Sequence, residues 1–306
     1  MKAIVCTTYG PPDVLEFKEV EKPAPKPNEI LIKVHASTVT TGDIRIRKFE
    51  SPPLYWLPMR IMLGFSKPRQ PILGVELAGE VESVGTAVTR FKAGDFIYAL
   101  SGMRFGAHAE YACLPEDGII AHKPENASFE EAAALPFGGT TALHYFRKGK
   151  MKSGQKVLIY GASGAVGTAA VQLAKGYGGE VTGVCSAANF ELVKSLGADK
   201  MLDYTKEDFI RNKERYDLVF DAVGKMSNDY AKKVLSPSGS YVSVRQGMAK
   251  IFKEDLLVLK ELMEQGKIKP VIDRRYPLQQ AAEAHRYVEK GRKRGNVVIT
   301  IGSSLK

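Results

Sequence analysis

Three glycines, Gly161, Gly164 and Gly167, separate a short apolar run, Val157-Leu158-Ile159-Tyr160, from an alanine-rich segment that continues through Ala169, Ala170 and Leu173. Strand, glycine turn and helix in that order are suited to holding an anion. The glycines let the backbone turn sharply against a pyrophosphate, and the helix N-terminus adds unpaired N–H groups and the positive end of its dipole. The spacing departs from the strict G-x-G-x-x-G spelling, so the flanking strand and helix carry the prediction. Gly161, Ala162, Ser163, Gly164, Ala165, Val166 and Gly167 are therefore expected to seat a dinucleotide. The alternative is a tight strand–helix turn with no ligand.

Other chemistries find less support. Cys6, Cys113 and Cys185 are far apart in apolar, strand-like settings. They form neither a disulfide framework nor a zinc-ligand spacing, so buried thiols in a reducing cytoplasm are expected. The apolar run near Met1 is too short for a secretory signal, and no run approaches the roughly 18 residues of a membrane span. A cytoplasmic protein without a membrane partner is the expectation. The formal net charge of +10 includes one dense run, Lys290-Gly291-Arg292-Lys293-Arg294. Aromatic residues are not interleaved with the cations, which points away from nucleic acid and toward a solvated basic surface that favours an anionic cofactor.

The 306 residues allow two domains of ordinary size. From Lys2 to about His122 the chain reads mostly as β, with Glu29–His35 a strand, Ala36–Asp43 a polar turn and Gly74–Gly85 a twisted hairpin. Ser51–Pro71 holds several prolines and the only tryptophan, Trp56. It reads as a loop or short helix whose apolar side chains either floor a hydrophobic pocket or simply pack. Ser128–Glu131 is a capping box, after which Pro136 and Gly138-Gly139 interrupt a helical pattern. Beyond the glycine turn, strands at Glu180–Cys185, Lys200–Leu202, Tyr216–Val223 and Gly239–Val244 alternate with helices at Phe190–Leu196 and Glu254–Glu264, and Glu207–Arg211 begins another. Such alternation predicts a parallel sheet covered on both faces. Val297–Ile301 returns to the β style of the first third, so the cofactor domain is expected to be inserted into a β domain that the C-terminus completes.

The set formed by the glycine turn, Lys194-Ser-Leu-Gly-Ala-Asp199, Asp221-Ala-Val-Gly224, Gly266–Asp273 and Gly295-Asn-Val-Val298 resembles the medium-chain dehydrogenase/reductase superfamily over essentially the whole chain. It is most similar to the zinc-independent, zeta-crystallin-like quinone oxidoreductases. The resemblance implies an α/β fold, a Rossmann doubly wound parallel sheet inserted in a GroES-like β domain, divided as 1–122, 123–265 and 266–306. It also implies an enzyme with its active site in the cleft between domains. Zinc-dependent relatives place cysteine and histidine where Thr40 and Thr41 stand, and Gly-His-Glu where this chain has Gly74-Val75-Glu76, so no zinc is expected. Hydride transfer from NADPH to a quinone or similar conjugated carbonyl fits such a site. The alternatives are an enone or alkenal reductase, or a non-catalytic NADPH-binding protein with RNA affinity.

By position, the resemblance assigns Thr40, Asp43, Arg45 and Tyr55 to catalysis and the pocket, with Asp43 alternatively a helix cap. Thr41, Thr140, Asn189, Ala222, Val223, Gly295 and Asn296 join the glycine turn in holding the cofactor. No carboxylate follows the second Rossmann strand; Ser186 stands there, and Tyr204 ends the third, which favours NADPH over NADH. Ala187 and Ala188 occupy the place of an expected basic residue. The implied partners are a small-molecule electron acceptor and a second copy in a homodimer.

Overall fold

A computed structural model describes residues 1–51, 53–206 and 214–302. In chain order the elements are β1 (Lys2–Cys6), β2 (Leu15–Glu19), β3 (Glu29–Thr38), α1 (Thr41–Lys48), α2 (Trp56–Leu63), β4 (Glu76–Val84), β5 (Phe96–Leu100), β6 (Tyr111–Pro115), β7 (Ile119–His122) and α3 (Phe129–Ala133). There follow α4 (Pro136–Lys148), β8 (Lys156–Tyr160), α5 (Ala165–Gly176), β9 (Glu180–Cys185), α6 (Phe190–Ser195), β10 (Lys200–Asp203), β11 (Tyr216–Asp221) and α7 (Asn228–Val234). The last are β12 (Leu235–Ser243), α8 (Lys253–Glu264), β13 (Ile272–Pro277), α9 (Ala281–Glu289) and β14 (Asn296–Thr300). The expected helix start at Glu207–Arg211 lies outside the described residues.

Two compact units divide the chain: Met1–Pro136 with Ile272–Lys306, and Phe137–Val271 inserted between them in sequence. The first boundary falls at Pro136 rather than at residue 122, because α3 packs on β3, β4 and β5 of the first unit. The second falls at Ile272 rather than 266, where β13 begins to pair with β14.

The first unit is GroES-like. Its larger sheet runs β13-β14-β3-β4-β5-β7 with β6 also paired to β3, and β1 and β2 form a separate ribbon. Only β13 and β14 are parallel within the larger sheet. Ile30, Ile32 and Val34 of β3 alternate inward to meet Leu77, Val81, Ile97, Val297 and Ile299 in one buried cluster. Gly74–Gly85 is not a hairpin: from Glu76 it is one strand between β3 and β5. A Cβ on Gly79 would collide with the Lys33 carbonyl, so this glycine serves a close strand approach rather than a turn. Cys6, Cys113 and, in the second unit, Cys185 are free thiols, and burial pushes each up to about 11.

A buried polar cluster ties α1 to α9. Arg47 is fully buried and donates to His285 Nδ1 at 3.3 Å, to the Gly10 carbonyl and to the Glu289 carboxylate. Accepting from Arg47 leaves the His285 proton on Nε2, so the ring is neutral. Its neighbour His108 lies 5.7 Å away, ring to ring, and contacts the Thr38 carbonyl through Nε2 at 3.0 Å.

The second unit is a Rossmann-like parallel sheet in the order β10-β9-β8-β11-β12. Both faces are covered, as the near-continuous apolar strands require. Leu158, Val184 and Val219 pack with Ala231 and Val234 of α7. On α4, Tyr145 stacks on Phe220 at 5.3 Å and Phe146 meets the same ring edge-on. Gly138 and Gly139 do not interrupt α4; they lie inside it. A Cβ on Gly138 would meet the Ala165 carbonyl oxygen at 2.6 Å, and one on Gly139 would meet Leu259 at 2.6 Å. They are contact glycines that let α4 approach its neighbours.

The His285 environment makes a pH prediction. Burial, His108 and Arg47 hold its pKa well below the ordinary 6.5. The native state therefore binds fewer protons than the unfolded chain below pH 6.5. The stability tied to this group is complete above 6.5 and falls as the solution becomes more acid. Urea unfolding from pH 7.5 to 5 should show that loss. His285→Gln, which keeps an acceptor for Arg47 without titrating, should flatten the slope by up to about 1.4 kcal/mol per pH unit; an unchanged slope would count against the assignment.

Candidate functional site

The order of the parallel strands places a switch point between β8 and β11, where successive connections run in opposite directions. Ligands of such sheets bind beyond the carboxyl ends of the strands at that point. The glycine turn leaves β8 there and the Ala222-Val223-Gly224 turn leaves β11. Gly161 takes φ +83°, and its N–H and that of Ala162 donate to the Val184 carbonyl at 2.9 and 3.0 Å. Those two N–H groups thus build the turn rather than face a ligand. The Gly164 N–H closes it on the Gly161 carbonyl at 3.1 Å.

Helix α5 then begins with no side-chain cap at Gly164 and no acidic residue in its first turn. Its first N–H groups and positive dipole end are left for an anion. A Cβ on Gly167 would collide with the Gly161 carbonyl oxygen, whereas one on Gly164 would stand 3.6 Å from that same atom, in nearly open space. The two glycines thus differ in job: Gly167 allows backbone to meet backbone, and Gly164 keeps the mouth of the turn clear. The residues fit a dinucleotide's pyrophosphate.

The second turn is held by Asp221, fully buried at the end of β11. Its carboxylate accepts from the N–H groups of Val223, Gly224 and Met226 at 3.2, 2.8 and 2.9 Å. The Ala222 N–H donates to the Tyr160 carbonyl at 3.0 Å, and Val223 packs where a Gly161 side chain would otherwise stand. Ala222 and Val223 are thus brought to the glycine turn. The role of Asp221 as organiser of the loop was not anticipated, although three N–H groups following an Asp are a recognisable turn signal.

At the ends of β9 and β10, Asn189 Nδ2 donates to Ser163 Oγ at 3.1 Å and to Ser186 Oγ at 3.2 Å, linking two predicted cofactor residues. The Asp203 carboxylate is buried and committed: it accepts from the Thr205 N–H and hydroxyl and from the Ala187 N–H. Those bonds lower its pKa, with Lys206 adding to the effect. Tyr204 is exposed, its ring 6.2 Å from that of Tyr160. Lys206, also exposed, is a cation that sequence position alone did not select. Thr140 is fully buried on α4.

In the first unit, Thr40 caps α1 in a reciprocal box. The Asp43 N–H donates to Thr40 Oγ1 at 3.2 Å; the Thr40 N–H and hydroxyl donate to Asp43 Oδ2 at 2.8 and 2.6 Å. The other carboxylate oxygen accepts from the Gly74 N–H at 3.0 Å. Asp43 is fully buried and is placed as the cap, joining α1 to the segment that leads into β4. Thr41 is exposed beside it and Arg45 faces solvent one turn further on. Tyr55 is 58 % exposed immediately before α2. Among the described residues neither Arg45 nor Tyr55 shares a hydrogen bond with Thr40 or Asp43.

Gly295, at φ +64°, leads into the buried Asn296 at the start of β14. The Val39 N–H donates to the Val297 carbonyl at 2.9 Å, which sets this segment beside the Thr40 turn. Lys293 departs from the solvated basic run: half-buried, it donates to the Gly295 carbonyl. Burial holds its pKa down to about 8, opposed by Glu76 and Asp273. Glu76 is itself fully buried and accepts from the Thr38 hydroxyl.

Zinc does not fit this donor set. Thr40, Thr41 and Val75 offer hydroxyls and a hydrocarbon, and no group of three His, Cys, Asp or Glu able to hold a metal occurs among the described residues.

Comparison with known proteins gives a consistent picture. The alcohol dehydrogenase GroES-like domain family matches residues 26–125, and two zinc-binding dehydrogenase families match residues 165–270 and 248–299. The 2-methylene-furan-3-one reductase of Solanum lycopersicum is 36% identical over 321 residues, covering 98% of this chain and 79% of that protein. The chloroplastic NADPH-dependent alkenal/one oxidoreductase of Arabidopsis thaliana is 35% identical with the same coverage. The structure of the quinone oxidoreductase from Coxiella burnetii superposes with a TM-score of 0.87 at 31% identity, covering 98% of this chain and 99% of that one.

The Gly167 contact can be tested directly. Gly167→Ala should weaken dinucleotide binding, and cost about 1–3 kcal/mol of stability, by pushing the first turn of α5 away from Gly161. Gly176→Ala, where a Cβ would meet nothing within 4 Å, should bind as the parent does. Titration of NADPH followed by its fluorescence reads both, and equal affinities would refute the contact argument.

Proposed function

The chain belongs to the medium-chain dehydrogenase/reductase superfamily, where it resembles the zinc-independent quinone and alkenal oxidoreductases, and we propose that it is an NADPH-dependent reductase of quinones or other conjugated carbonyls. The observation that carries this reading is the uncapped start of α5 joined through Ser163 and Asn189 to a ribose corner at Ser186. There the Asp203 carboxylate is already committed to Ala187 and Thr205.

Bound NADPH would supply the hydride. The chain's own part is to hold and orient. The first turn of α5 and the open mouth at Gly164 take the pyrophosphate, and Ser186 receives the 2′-phosphate without repulsion. In this reading Lys206 supplies the cation that Ala187 and Ala188 do not. Across a conjugated acceptor the incoming charge spreads onto oxygen, so hydroxyl or N–H donors suffice to stabilise it. We assign that work to the exposed Thr41 hydroxyl at the start of α1; the Thr40 hydroxyl gives its one proton to Asp43, and their mutual hydrogen bonds hold the turn that presents Thr41. The final proton comes from water.

The enone and alkenal side of this proposal is favoured by the Solanum and Arabidopsis relatives, whose names specify such substrates. The quinone side rests on the Coxiella structure. A homodimer and a cytoplasmic location belong to the same proposal, the latter supported by three unpaired thiols.

NADPH oxidation followed by absorbance against a panel of quinones, enones and saturated aldehydes tests the reading. Turnover of the conjugated members is expected, and silence with all of them would overturn it. Ser186→Asp should lower the NADPH-to-NADH ratio of kcat/KM by at least about tenfold, and Lys206→Glu should lower it in the same direction. An unchanged ratio in both variants would remove the assignment of the ribose corner.

A further inference from the structure

Helix α2 has apolar side chains on both its inner and outer faces. Leu63 and Met59 pack with Phe49 and Phe105, and its charged residue, Arg60, also turns inward: the guanidinium lies 3.7 Å from the centre of the Phe49 ring, 4.7 Å from Tyr9 and 5.2 Å from Trp56. It also donates to the Phe65 carbonyl, which folds the chain back after the helix. On the outer face of the helix Leu57 and Ile61 stand one turn apart with Met62 beside them, and Phe65 follows just past its end at Gly64; each of the four is more than half exposed. Three exposed apolar side chains on one helix face, continued by Phe65 just beyond it, form a stripe that is more than scattered surface hydrophobicity.

At the C-terminal end of that stripe a half-open cavity of about 550 Å³ lies between Phe65, Pro71 and Val5. Three cations, Lys18, Lys67 and Arg69, line the same cavity. Lys18 is paired with Glu16 at 2.7 Å, whereas Lys67 and Arg69 have no carboxylate partner among the described residues. From Ser51 to Val75 the sequence contains Arg60, Lys67 and Arg69 and no acid at all. The cavity is built rather than incidental. Cys6 N–H donates to the Pro71 carbonyl at 2.7 Å, Arg69 N–H to the Leu63 carbonyl at 2.7 Å, and Thr8 Oγ1 to the Ser66 carbonyl at 3.1 Å. At Gly64, φ is +115° and a side chain would collide with the Lys67 carbonyl, so the loop closes only with glycine there.

We propose that this surface binds a free anionic amphiphile, a fatty carboxylate or monoalkyl phosphate, with its head group on Lys67 and Arg69 and its chain along the outward stripe of α2. An apolar track that ends in cations without a carboxylate partner among the described residues is complementary to such a molecule at both ends. A neutral hydrocarbon would leave the cations unused, and inorganic phosphate would leave the stripe exposed to water. The site shares no residue with the proposed cofactor seat and stands whether or not the reductase reading does.

Trp56, the only tryptophan in the chain, sits at the start of α2 and reports on it. Dodecanoate below its micellar concentration, titrated into the full-length protein, should give a saturable change in Trp56 emission and a matching calorimetric isotherm. Dodecanol should bind at least about tenfold more weakly, and so should dodecanoate to the K67E/R69E variant. Leu57→Ser with Ile61→Ser, both at exposed positions, should also weaken dodecanoate, with NADPH affinity unchanged as the check on folding. The proposal fails if dodecanoate gives neither emission change nor heat, if dodecanol binds as tightly, or if K67E/R69E binds like the parent. It also fails if the response comes only from phosphatidylglycerol vesicles, because the occupant would then be a membrane surface.

Discussion

Everything in the second unit depends on one backbone meeting another. The first turn of α5 approaches the carbonyl of Gly161 so closely that residue 167 has no room for a side chain. That approach directs the helix start at the switch point of the sheet, and it allows Gly161 and Ala162 to bond back to β9. The glycines inside α4 extend the same logic one layer outward, since Gly138 lets α4 lie against the beginning of α5. A positive helix end is only useful if it points to a fixed place, and here steric exclusion fixes it.

In the first unit polar bonds do the fixing. Helix α1 is held at its start by Asp43, which reaches across to Gly74, and near its end by Arg47, which reaches to α9. Both side chains are fully buried, so each must keep its partners or leave a costly unpaired group. With both ends secured, the threonines at the start of α1 occupy fixed positions.

Much of this was legible in the sequence, and the failures have physical causes. The glycine turn, the capping box at Ser128 and the alternating strands of the second unit are local patterns, and they appear where their periodicity puts them. Gly138 and Gly139 read as helix breakers because propensity penalises glycine; the crowding of α4 by Ala165 and Leu259 outweighs that penalty. Gly74–Gly85 read as a hairpin for the same reason, although Gly79 answers to the neighbouring strand. Lys293 looked like one of several solvated cations, and only the fold brings it under Glu76 and Asp273. Lys206 stands well beyond Ala187 and Ala188 in sequence, and only the fold, which bonds the Ala187 N–H to the Asp203 carboxylate, brings its charge to the same corner. Asp43 had two readings, and its buried hydrogen bonds put it in the cap.

The three thiols acquire a meaning from the company such an enzyme keeps. Quinones and enones are Michael acceptors that add to thiolates rather than to thiols. Burial pushes each cysteine up to about 11 and hides Cys6 and Cys185 from solvent, so each is held as the thiol at neutral pH. Burial thus keeps the sulfur of this chain in the form that conjugated carbonyls attack least.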